Sequence, residues 1–169
     1  MNSPPLSQIA VGVIVERRKA ASPWIDFVWR AVGTLPDAPD MQPWTTLREE
    51  SDAVLFYAGS KTVHLHRAET ARYRDNLVTG SPSLWVVLSP AEGEWPYTLT
   101  AVTADPAEGE AFTEAGGNLV EAVAMPEALR ETVESFIAEH HVEQEFVKRK
   151  RKRADPEALA RRQPDGGHE

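Results

Sequence analysis

The 169-residue chain contains no cysteine. That absence excludes disulfides, thiolate zinc sites, iron–sulfur ligation by this chain and thiol catalysis. No apolar run approaches the roughly 20 residues that a membrane-spanning helix needs, and the opening "MNSPPLSQ" lacks a basic stretch followed by an apolar core. The expectation is a cytoplasmic protein with no membrane partner. Also missing are Gly-x-Ser-x-Gly, which would raise a serine nucleophile above a sheet, and the His-Glu-x-x-His helix of zinc peptidases. "AGSKT" at 58–62 is not a phosphate loop, because Ser60 rather than glycine precedes Lys61 and no earlier glycine sits at the required spacing. The balance is against an enzyme, no catalytic residue is assigned, and no cofactor is implied.

What is present is enough apolar material, 41% of residues, for one core. The charge divides unevenly. Residues 1–147 sum to −12 and residues 148–169 to +4, so an acidic body precedes a basic end. The expected organisation is a disordered N-terminus at 1–8, a single α+β domain at 9–147 and a basic flexible tail at 148–169.

Within the domain, Val11, Val13 and Val15 alternate as a half-buried strand does, and Ile25, Phe27, Trp29 and Ala31 repeat the pattern. Pro36, Pro39 and Pro43 predict a loop between about 33 and 46. "AVLFYAGSKTVHLH" reads as a hairpin turning at Gly59-Ser60, since glycine supplies the positive φ of a type II′ turn. "AETARYRDNLVTG" reads as a short helix with Ala68, Ala71 and Leu77 on its apolar side. "SLWVVL" and "WPYTLTAVT" read as a strand pair. Asp105-Pro106-Ala107-Glu108 carries a helix cap acceptor, a proline for the first turn and an early acid, and Gly116-Gly117 stops that helix. "NLVEAVAM" returns as a strand. From Pro126 onward, Leu129, Val133, Phe136, Ile137 and His140 form one apolar stripe, predicting a helix laid on the sheet. Together these give an α+β fold: a mostly antiparallel sheet of about six to seven strands, a C-terminal helix packed on it and two shorter helices.

Three constellations could carry function. The run Lys148, Arg149, Lys150, Arg151, Lys152 and Arg153 suits electrostatic docking on an acidic partner. The same run could neutralise phosphates, but no aromatic platform interleaves it and the acidic body opposes it, so nucleic acid is the second reading. Trp24 and Trp44 stand beside prolines at loop edges, where aromatics serve as core anchors or as binding surface. His64 and His66 share a strand face and could supply imidazoles to a divalent metal or a ligand, the third reading being a metal- or ligand-binding enzyme; His140 and His141 would join them only if the fold brought the pairs together. Outward strand residues and a helix-end cap explain the same histidines without a ligand.

Several stretches, "VGVIVERR", "PWIDFVWRAVGTLPDAP", "PWTTLREE", "LHRAETARYRDNL", "VEAVAMPE" and "FIAEHHVEQEFVKRKR", resemble a proteobacterial family known as the 3305 domain of unknown function. The resemblance covers residues 10 to 153. It implies a small cytoplasmic protein encoded near formate dehydrogenase and related molybdenum-enzyme genes. An accessory or maturation role would follow, with a subunit or assembly factor of such an enzyme as protein partner, and the family supplies no catalytic residue to carry over.

Overall fold

A computed structural model describes residues 7–114 and 116–141. The strands are β1 (Ser7–Lys19), β2 (Phe27–Leu35), β3 (Thr45–Glu49), β4 (Ala53–Leu65), β5 (Ser83–Pro90), β6 (Tyr97–Thr103) and β7 (Leu119–Ala124). The helices are α1 (Thr70–Val78), entered through a 3-10 turn at Arg67–Glu69, α2 (Pro106–Thr113) and α3 (Glu127–His140). The seven strands form not one sheet but two antiparallel ones, ordered β2-β1-β4-β3 and β6-β5-β7. Bulges contribute to this division. The register slips between Ile14 and Val15 opposite β2, and between Val13 and Ile14 opposite β4. Each slip adds twist, which favours a coiled four-strand ladder over a flat seven-strand one.

The sheets meet along two margins. β2 lies against β7, where Arg30 and Glu121 pair at 3.4 Å, and β4 lies against β6. Val11, Val13 and Val15 are fully buried between them and meet Leu84, Val86 and Leu88 in a common core. The outer face of the second sheet is closed as well. Helix α2 sits on it so tightly that a Cβ on Gly109 would come within 2.4 Å of Trp85 Cγ. Burial on two faces explains why "SLWVVL" is apolar without alternating.

Helix α3 buries Leu129, Val133 and Phe136, the stripe its sequence predicts, and packs on α1 through the Phe136 and Tyr73 rings, 6.2 Å apart. Each such side chain contributes about 1.5–3 kcal/mol by leaving water. Asp105 caps α2 by accepting from the Ala107 N–H at 2.9 Å, as expected. Helix α1 differs from its prediction. Its buried residues are Thr70, Tyr73 and Asn76, while Ala68 and Ala71 are exposed. Buried polar groups require partners, and Asn76 has them: its amide donates to the Ser83 and Ala104 carbonyls and accepts from the Ser83 N–H.

The expected hairpin at Gly59-Ser60 is absent. Residues 53–65 are one strand antiparallel to β1 throughout, and the positive φ of Gly59, 126°, serves the bulge opposite Val13. A long central β1 supplies ladder partners on both sides of that glycine, so the strand continues where an isolated hairpin would turn. The Pro-rich segment folds over the outer face of β1 and β4, with Tyr57 donating to the Pro39 carbonyl at 2.8 Å. Gly12 makes room for this, since a Cβ there would stand 2.6 Å from Tyr57 Cε2.

Candidate functional site

Strand β4 connects two sites of different chemistry. At its first half, Phe56 lies in a cluster with Trp29 from β2, Trp44 at the entry to β3, and Trp95 and Tyr97 at the entry to β6. Trp44 stacks on Trp95 at 5.4 Å and meets Trp29 edge-on at 5.8 Å; Phe56 meets Trp95 at 5.0 Å. Arg17 enters the same cluster from β1. Its guanidinium stands 4.6 Å from the Phe27 ring centre, 5.1 Å from Phe56 and 5.7 Å from Trp29. Its Nε is buried and makes no hydrogen bond among the described residues, so the π faces are its electrostatic partners. Trp44 adopts φ 68°, a left-handed conformation costly for a bulky side chain. The surrounding rings and the Thr45 hydroxyl, which donates to the Gln42 carbonyl, hold it there.

Beyond this cluster the β1–β2 connection projects into solvent. Trp24 is 91% exposed and Ile25 57%, followed by the exposed Phe27 and Val28. Such an apolar run is unusual on a protein surface when it serves no contact.

The second site lies at the other end of β4. Strand β3 pairs only with Val54–Tyr57, which leaves the half of β4 after Gly59 without a ladder partner on that margin among the described residues. Strand β6 runs alongside, and the gap is a half-open cleft of about 310 Å³ lined by Lys61, Thr62, His64, His66, Thr100–Thr103 and Glu108. The His64 and His66 rings are 6.4 Å apart. Thr103 accepts from the Asp105 N–H at 3.1 Å, which leaves its own hydrogen to donate, and Thr100 donates to Ser89 at 2.6 Å. Below the cleft the Tyr73 hydroxyl accepts from the His66 N–H at 3.0 Å. Burial raises the Tyr73 phenol above its ordinary pKa; the His66 hydrogen bond lowers it in part, and the carboxylates of Asp105 and Glu108 raise it further. Asp105 itself is buried and held by Arg72 at 2.9 Å.

The residues singled out from sequence distribute over these sites as follows. Trp44 is inside the aromatic cluster; Trp24 is at the same end of the first sheet but makes no ring contact among the described residues. His64 and His66 line the cleft. His140 lies instead against Phe136 at 4.6 Å, and His141 Nδ1 is hydrogen-bonded to the Thr70 hydroxyl at 3.0 Å. Among the described residues no three histidine or carboxylate side chains are placed to share a metal ion. The basic run from Lys148 to Arg153 lies outside the described residues. Sequence reasoning missed Arg17, Lys61, Glu108 and the threonines of β6. Strand alternation carried through Gly59 would have placed Lys61 and His64 on the same strand as Phe56; nothing local announces that Glu108 joins them.

One family of known proteins matches, described as protein of unknown function (DUF3305), over residues 10–151. The chain belongs to the DUF3305 family. No curated protein and no solved structure matches this DUF3305 chain. Among its described residues no helix is long and apolar enough to cross a membrane.

Proposed function

We propose that this DUF3305 protein is a non-catalytic cytoplasmic accessory protein that binds a protein partner through the tip around Trp24. The observation that carries the reading is Trp24 itself: an indole 91% exposed, next to a half-exposed isoleucine, on a hairpin whose base is fixed by five packed rings and a guanidinium set on ring faces. Tryptophan is enriched among residues that dominate binding energy, and a rigid base lowers the entropy lost on docking. The family resemblance points to a formate dehydrogenase subunit or assembly factor as the partner. Residues 148–153 would then speed encounter with an acidic surface on that partner, and nucleic acid is disfavoured by the −12 charge of the body.

The test places a photo-crosslinking residue at the exposed position 21, on the same connection as an intact Trp24, in the native host. The reading expects a crosslink to a molybdenum-enzyme subunit or assembly factor, reduced at least tenfold by adding Ile25→Ser. Crosslinks that are undiminished by that change, or that fall on no such protein, reject it.

A further inference from the structure

The cleft between β4 and β6 lies at the opposite end of β4 from the tip, and its chemistry is unlike that of the tip. Lys61, His64 and His66 line one side, yet none is in an ion pair with a carboxylate among the described residues. In a body of net charge −12, where Arg18, Arg30, Arg48, Arg72 and Arg130 have carboxylate partners, three basic side chains without one are gathered along a single unladdered strand margin. Hydroxyls join them: that of Thr62, on the same strand, makes no hydrogen bond among the described residues, and across the cleft the Thr103 oxygen, already accepting from a backbone N–H, has its hydrogen free. Among the described residues Glu108 is the only carboxylate lining the cleft.

A divalent cation would need three or four acceptor ligands within about 2 Å, a set the described residues do not assemble. An oxyanion needs the opposite: donors. The ammonium offers three, each imidazole at least one in any protonation state, and the free hydroxyls one each. We infer that the cleft lined by Lys61, His64, His66 and Thr103 is a binding site for a small oxyanion, the phosphate or carboxylate group of a metabolite. Lys61 supplies the permanent charge from a flexible stem; the imidazoles and hydroxyls fix direction. Glu108 stands against the anion and lowers affinity unless the ligand also carries a donor that it can accept.

That opposition gives the test its signs. The full chain, labelled for observation of histidine side-chain resonances, is titrated at pH 7 with inorganic phosphate and separately with acetate, sodium chloride controlling for ionic strength. Saturable movement of the His64 and His66 resonances is expected with at least one probe: phosphate alone assigns a phosphate group, acetate alone or both a carboxylate. Lys61→Ala and His64→Gln should each weaken binding about fivefold, and Glu108→Gln should tighten it by about threefold. All three positions are exposed, so the variants fold as the parent does. The inference is overturned if neither probe saturates, if Glu108→Gln weakens binding as the other two do, or if zinc moves both resonances at stoichiometric amounts while phosphate and acetate do not.

Discussion

The two ends of β4 are built by opposite means from one strand. At Phe56 the chain is held by packing: rings at 5–6 Å, a guanidinium spread over three of them, and a tryptophan forced to positive φ. At His64, eight residues or roughly 25 Å further along, it is edged by imidazoles, hydroxyls and charges that have no counter-ion among the described residues. Gly59 and its bulge lie between, and β3 ends its pairing at Tyr57 on the aromatic side. The difference shows what each end can do. A surface fixed by packing can present an exposed apolar anchor without collapsing on it, whereas an edge left without a ladder can offer donors to a ligand.

The largest expected effect breaks the first end. Phe56→Ala removes a ring that touches Trp29, Trp44 and Trp95 and is 2% exposed, and should cost about 3–4 kcal/mol in denaturant unfolding. Tryptophan fluorescence should change with it, because three of the five tryptophans border the removed ring. A cost below about 1 kcal/mol would mean that the cluster does not hold the hairpin. Next comes the second end. Gly109→Ala drives a Cβ against Trp85 and should cost about 2–3 kcal/mol, shifting α2 and with it Glu108, while leaving the aromatic end as it was. Unchanged histidine resonances in that variant would contradict the coupling of α2 to the cleft.

How much of this contrast was legible follows the physics of each element. Helix α3 was readable because an apolar stripe at helical spacing has one economical burial, and the Asp105-Pro106 start because capping is local. The hairpin at Gly59-Ser60 misread a real property: a glycine at positive φ serves a bulge as well as a turn, and only the 13-residue partner β1 decides between them. Helix α1 hid its inner face because Thr70 and Asn76 are buried by their hydrogen bonds, which hydropathy does not register. Strand β3, five residues after three prolines, has no alternation of its own and exists by pairing with β4. Of the site residues, the exposed Trp24 and the two strand histidines were visible as types, but the cleft depends on β6 and α2 arriving beside β4, a long-range fact.

A smaller effect sharpens the second end through pH. Tyr73→Phe deletes the acceptor of the His66 N–H and should cost about 1 kcal/mol at neutral pH. Because the folded phenol titrates above its ordinary value, both states hold the proton below about pH 10, and above it the unfolded chain ionises first. Wild-type stability should therefore fall as pH rises from about 10 toward the raised folded value, and the Phe variant should lack that part of the fall. Equal slopes for the two proteins would show that Tyr73 is not held in its neutral form by the fold.

The smallest expected change in stability is the one that separates the ends by function. Trp24→Ala removes an indole from a position where nine-tenths of it already meets water. Little transfer free energy can be lost and no cavity forms, so unfolding should move by less than about 0.5 kcal/mol. The His64 and His66 resonances and their response to phosphate should not move either, since the indole stands beyond the opposite end of β4. Partner crosslinking should nevertheless collapse, because an indole that contributes nothing to the fold has its whole apolar surface left to bury in a partner. If Trp24→Ala instead destabilises the chain by 1 kcal/mol or more, a figure of the order expected for partial burial, the tip is part of the core and the division of β4 into a docking end and a ligand end does not hold.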